Sequence, residues 1–184
     1  MHSKKRIIAI SGMPGAGKGV AAAAARQMGL NVLALGDVIR EETERRGLEP
    51  TPKNMGAVML QVRAEEGVAA VARRLIPKIE ADQSNELVVD GIRSLYELDE
   101  LRSKYDVCTV TIHASPRTRF QRLLARNRSD DPRDLDTFTA RDRRELNVGL
   151  CQVIALADVL LVNEGDIEEL HAAFKEALSK LNAR

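Results

Sequence analysis

Aromatic side chains are nearly missing from this 184-residue chain: they make up 3%, with no Trp, two Tyr and three Phe. Proteins that bind single-stranded nucleic acid stack bases on aromatic rings, so this scarcity argues against that class. A surplus of one charge sign is missing too. Lys and Arg number 28 against 27 Asp and Glu, a net charge of +1, which argues against a histone-like or polybasic membrane-surface protein. Cysteine is sparse, with Cys108 and Cys151 far apart and no CxxC pairing, and His2, His113 and His171 are scattered. Neither a zinc site nor a disulfide framework is expected; two reduced thiols suit the cytoplasm. No apolar run approaches the ~18 residues of a membrane span. The short run Ile7–Ile10 behind a basic start cannot serve as a signal-peptide core. The expectation is one soluble cytoplasmic domain, with no membrane and no nucleic-acid partner.

Five short apolar runs are present: Ile7–Ile10, Val32–Leu35, Leu87–Val89, Val107–Ile112 and Val159–Val162. Most are β-branched and lack polar alternation, which suits strands buried on both faces of a parallel sheet. Helical periods lie between them. Met55, Val58, Met59 and Val62 fall at i, i+3, i+4, i+7; Val68, Val71, Leu75, Ile76 and Ile79 form a second stripe; Ile167, Leu170, Phe174, Leu178 and Leu181 form the last. Thr51-Pro52 reads as an N-cap with Pro at the first helical position, and Gly47 and Gly67 read as stops. Strand–helix alternation predicts a doubly wound α/β fold with a five-stranded parallel sheet. The stretch 37–82 holds about three helices, more than one crossover needs, and is read as a helical insertion.

Gly12-Met13-Pro14-Gly15-Ala16-Gly17-Lys18 matches G-x-x-x-x-G-K. Glycines allow a ring of backbone N–H groups to close on phosphate oxygens, the following helix aims its positive end at the anion, and Lys18 adds a point charge at the β- and γ-phosphates. The motif follows a strand run and precedes the alanine-rich stretch 20–28, the required strand–loop–helix setting. Gly19 and Val20 stand where a magnesium-ligating Ser or Thr is usual, so the loop supplies no hydroxyl. Leu87-Val88-Val89-Asp90 is an apolar run ending in an acid, which makes Asp90 the candidate to hold Mg²⁺ through water.

Further motifs narrow the class. Asp90-Gly91-Ile92-Arg93 resembles the Asp-Gly-Phe-Pro-Arg signature of adenylate kinases with one residue missing, and Gly36-Asp37-Val38-Ile39-Arg40 resembles their Gly-Asp-x-Leu-Arg. The Pro-Gly-x-Gly-Lys-Gly loop is also similar to theirs, with Val20 in place of a Thr. Ala157-Asp158-Val159-Leu160-Leu161-Val162-Asn163-Glu164-Gly165 resembles the Ala-Asp-x-x-x-x-Asn-x-Gly segment of dephospho-CoA kinases. Over nearly its full length the chain most resembles a family of archaeal adenylate-kinase-related proteins. Asp90–Ser94, Arg128-Ser129-Asp130-Asp131 and Arg141-Asp142-Arg143-Arg144-Glu145 are in that style. The resemblance implies a kinase of the nucleoside monophosphate type using ATP and Mg²⁺, with Asn163 near the adenine and with Arg40 and Arg93 on the acceptor phosphate.

Ligands of a doubly wound sheet bind beyond the carboxyl ends of the strands. Gly12, Asp37, Asp90, His113 and Asn163 are each expected just past a strand, on one edge. From Arg117 to Arg144 there are nine Arg and no Lys. Arg122 and Arg126 share a helix face at i, i+4, and guanidinium forks suit a transferring phosphoryl group, so they are read as the arms of a short lid at about 126–135. The donor loop is then Gly12, Met13, Pro14, Gly15, Ala16, Gly17, Lys18, Gly19 and Val20. Asp37, Arg40 and Arg93 hold the acceptor, and Asp37 doubles as a base if the acceptor is a hydroxyl. Two other readings stay open: a dephospho-CoA-type hydroxyl kinase, and a nucleotide-binding regulator or slow NTPase.

Overall fold

The computed structural model describes residues 4–127 and 131–182. Strands β1 (Arg6–Ser11), β2 (Asn31–Ala34), β3 (Glu86–Ile92), β4 (Asp106–His113) and β5 (Val159–Val162) form one parallel sheet in the order β2-β3-β1-β4-β5. β1 is central, and Ile7, Ile8, Ala9 and Ile10 are all buried. Its side chains alternate between two cores. Ile8 and Ile10 meet Ala21, Ala24 and Ala25 of α1 (Lys18–Gln27) and Phe174 and Leu178 of α9 (Ile167–Asn182). Ile7 and Ala9 meet the opposite layer, which draws on α2 (Leu35–Arg45), α3 (Pro52–Glu66), α4 (Ala70–Ala81), α5 (Leu95–Arg102) and α8 (Leu150–Ala155). Small alanines on α1 let that helix lie close over the strand carrying the loop before it.

The insertion between β2 and β3 is α2, α3 and α4. The Thr51 side chain accepts from Asn54 N at 3.3 Å, and Gly67 at φ 95° ends α3. Buried Glu42 holds the group together. It accepts from Arg45 Nε at 2.7 Å and Arg46 Nε at 2.6 Å on its own helix, and pairs with Arg74 Nη1 of α4 at 2.8 Å. Hydrogen bonds from Arg45 and the other two arginines keep its carboxyl well below the usual carboxylate range, against the opposing effect of burial. Arg63 of α3 reaches buried Glu97 of α5 at 2.6 Å.

Two boundaries differ from the apolar runs. Leu35 opens α2 instead of closing β2, because its side chain turns into the core beside Val38 and Ile39. β3 continues through Asp90 and Gly91 to Ile92, with a register shift opposite Ile10 and Ser11. Asp90, in register with Ile10, therefore stands inside the strand, and the irregularity falls at Gly91 just after it.

Candidate active site

The loop leaves β1 at Gly12 and enters α1 at Lys18. Gly12, Gly15 and Gly17 have φ of 143°, 82° and 113°, values that favour glycine. Space is short as well as strained. A Cβ on Gly15 would sit 2.7 Å from the Arg119 carbonyl oxygen, one on Gly12 would strike the Ile112 carbonyl, and one on Gly17 would strike the Asn163 amide. The loop is thus wedged between β4, α6 (Pro116–Arg126) and the segment after β5.

Lys18 Nζ donates to the Gly12 carbonyl at 2.6 Å and the Met13 carbonyl at 3.3 Å. Burial lowers its pKa to about 8, partly offset by the carboxylate of Asp90. Asp90 is the mirror case. Burial raises its carboxyl, and Lys18 and Arg93 oppose the rise. Its Oδ1 is buried without a hydrogen-bond partner. A buried acceptor left unmet beside a phosphate loop suits the water shell of a divalent cation. Gly19 and Val20 offer that ion nothing, and among the described residues no three His, Cys, Asp or Glu cluster as a cage.

Beyond Gly91 opens a cavity of about 430 Å³. Leu35, Ile39, Met55, Met59 and Val71 give it apolar walls, and Lys53, Arg63, Arg93, Arg141 and Arg144 give it positive charge against Glu97 and Glu145. Arg93, Arg141 and Glu145 all act on Lys18 electrostatically, so the cavity and the loop share one field. Arg93 Nη1 lies 2.9 Å from both oxygens of Glu145, which is buried on α7 (Leu135–Val148).

The other expected residues are placed differently. Asp37 is in the first turn of α2 and Arg40 is exposed one turn on. Together with Glu41 and Lys78 they line a separate recess of about 200 Å³, not the Arg93 cavity, although Asp37 still acts on Asp90. Arg122 holds the segment after β5, donating to the Asn163 carbonyl at 2.9 Å and the Gly165 carbonyl at 2.7 Å. Asn163 is buried and gives its Nδ2 to the Ala16 carbonyl at 2.7 Å, so it braces the loop. Glu164 accepts from Ser115 and Thr118 at the start of α6. Arg126 pairs with buried Asp131, with Nε to Oδ2 at 2.9 Å. Arg128 and the middle of the expected lid lie outside the described residues.

Arg119 was not among the expected site residues, yet it is 3% exposed. It donates to the Ala114 carbonyl at 3.1 Å, the Pro14 carbonyl at 3.2 Å and Asp142 Oδ1 at 2.8 Å, and lies 5.0 Å over the Phe138 ring. Glu145 was also missed as the partner of Arg93. Both partners on α7 sit inside the Arg141–Glu145 string, where alternating charge was the available signal.

Residues 11–139 match the family model described as an AAA domain. A UPF0200 protein of Hyperthermus butylicus is 46% identical over 178 residues, covering 97% of this chain and 96% of that one. The chain is a member of the UPF0200 family with an AAA domain. Among solved structures it is similar to a gluconokinase from Sinorhizobium meliloti 1021, at TM-score 0.61 and 18% identity over 98% of this chain and 95% of that one. It is also similar to shikimate kinase from Bacteroides thetaiotaomicron, at TM-score 0.58 and 17% identity over 96% of this chain and 99% of that one. At these identities the likeness is one of fold, and the fold is that of P-loop kinases. Among the described residues no helix is long and apolar enough to cross a membrane.

Proposed function

We propose that the chain is a cytoplasmic, ATP-dependent phosphotransferase of the nucleoside monophosphate kinase type. It moves the γ-phosphoryl of ATP to a small phosphorylated acceptor. The carrying observation is the cavity beyond Gly91: it has apolar walls and a volume of a size for a base, and its lining includes Arg144 together with Arg93 and Arg141, which also act electrostatically on Lys18. Cationic side chains beside apolar walls suit a nucleoside monophosphate, which joins an anion to a flat, largely apolar base. The amides at the start of α1 and Lys18 hold the donor phosphates. Asp90 fits a water-mediated Mg²⁺, which when bound neutralises charge on the β- and γ-oxygens. Arg93 exchanges Glu145 for the acceptor phosphate. Arg122 shapes the segment around Asn163 beside the donor loop, and Arg126 with Asp131 stands at the edge of the lid.

A phosphate acceptor is already an anion at neutral pH, since its second pKa is ≈6, and needs no general base. A hydroxyl acceptor does need one. Asp37, in the first turn of α2 and within electrostatic reach of Asp90, keeps that second reading. The test is ADP release measured against a panel of nucleoside monophosphates and dephospho-CoA, repeated with Asp37→Asn. Turnover that one monophosphate stimulates and that Asp37→Asn leaves nearly intact supports the proposal. A loss of roughly 10²-fold or more in that variant assigns a hydroxyl acceptor. A rate indifferent to every acceptor assigns a slow NTPase.

A further inference from the structure

The phosphate loop is shaped from outside by two side-chain donors. Arg119 binds the Pro14 carbonyl at 3.2 Å and Asn163 binds the Ala16 carbonyl at 2.7 Å. A trans peptide points its C=O and the next N–H in opposite directions. Turning those two carbonyls outward therefore turns the N–H groups of Gly15 and Gly17 inward. Among the described residues the Gly15, Gly17, Lys18 and Gly19 amides have no backbone acceptor, whereas Ala16 N closes on Met13 O at 3.1 Å. Open amides at Gly15, Gly17, Lys18 and Gly19, so close in sequence at a helix start, suit an anion nest.

Arg119 also faces away from the loop. Its Nη1 and Nη2 form a fork on the two oxygens of Asp142, at 2.8 and 2.5 Å. Its face lies over Phe138, itself buried. Asp142 and Phe138 belong to α7, the helix that brings Arg141, Arg144 and Glu145 to the acceptor cavity. One guanidinium thus joins the donor loop, the end of β4 at Ala114 and the acceptor wall.

We infer that Arg119, oriented by Asp142, is a positioning residue that holds the donor loop in its anion-binding shape and ties that shape to the placement of α7. The inference rests on reading the loop as the donor-phosphate site. Lys could not replace Arg119, because one ammonium on a flexible stem cannot serve a carboxylate fork and two carbonyls in different directions at once. Asn in place of Asp142 keeps the shape, but it sets an NH₂ against an N–H of the fork and removes the charge that orients it.

The test is isothermal titration of the purified full chain, its Asp142→Asn variant and its Arg119→Lys variant with MgADP, inorganic pyrophosphate and adenosine, together with thermal unfolding of each. The expected result is a loss of about 10-fold or more in affinity for MgADP and pyrophosphate in both variants, the size of one charge-assisted hydrogen bond. Adenosine binding stays unchanged, because the defect lies at the phosphates. A purely structural strut gives another pattern: lower unfolding temperatures, with phosphate affinity of the folded variants equal to wild type. That pattern overturns the inference, and if Arg119→Lys does not fold, Asp142→Asn alone decides it. Wild-type chain that binds neither MgADP nor pyrophosphate overturns the donor-loop reading itself, and the positioning role with it.

Discussion

The donor role proposed for Lys18 makes phosphate binding sensitive to alkaline pH in a way that can be worked out. In the empty loop its pKa is about 8, lowered by burial. It is then about nine-tenths charged at pH 7 and about one-tenth charged at pH 9. Donor phosphates bind the charged form and hold the proton on, so the pKa rises in the complex. The sign follows: binding takes up protons and weakens as pH rises through 8. The dissociation constant of MgADP should rise about tenfold from pH 7 to pH 9, with uptake of about half a proton at pH 8. Titration calorimetry at pH 7, 8 and 9, in two buffers of different ionisation heat, reads both quantities. Lys18→Met, which fills the same space without charge, should bind more weakly at pH 7 and lose the dependence. A dissociation constant constant within twofold across this range, or a Lys18→Met variant with the wild-type profile, refutes the reasoning.

Arg93→Ala should raise the KM of a monophosphate acceptor by about 10-fold or more while leaving MgADP affinity within twofold, since Arg93 lines the cavity proposed for the acceptor; initial-rate kinetics and calorimetry separate the two. Glu42→Gln should cost about 3 kcal/mol in urea unfolding, because three arginines lose a buried charge. Since the Glu42 carboxyl is held below its ordinary 4.5, its contribution is present above that pH and fades as pH falls through the lowered value. Wild type and variant should therefore differ most near neutrality and converge in acid. Gly15→Ala should abolish pyrophosphate binding, since φ is 82° and the new Cβ would lie 2.7 Å from the Arg119 carbonyl oxygen; wild-type binding in that variant refutes the account of the loop.

The strands and the phosphate loop were legible because their signals are local. Ile7–Ile10 announces a strand buried on both faces, and the spacing Gly12 to Lys18 announces the turn after it. Thr51 and Gly67 mark the ends of α3 by rules that need only neighbouring residues. The arginines were harder. Arg122 and Arg126 looked alike at i, i+4, yet one holds the Asn163–Gly165 backbone and the other holds Asp131. Arg119 carries no local signal that sets it apart from the other arginines between 117 and 144, although it is buried against the loop. What separates them is the identity of a partner far along the chain, and side-chain periodicity does not carry that information. Asp37 and Arg40 show the same limit: helix α2 presents them to a different recess from Arg93.

The bracing of the loop also orders its birth. Pro14 is met by a residue 105 positions later and Ala16 by one 147 positions later. A growing chain makes Gly12–Lys18 long before the two donors that turn its carbonyls outward. Until Asn163 has emerged and β5 can join the sheet, the motif lacks the donor that holds the Ala16 carbonyl. Contacts across so many residues carry a large loop-closure cost, so we expect the motif that reads first in the sequence to be among the last parts of the molecule to acquire its shape. Ligand binding at this loop would report completion of the whole domain, and a fragment ending before β5 should gain no stability from nucleotide.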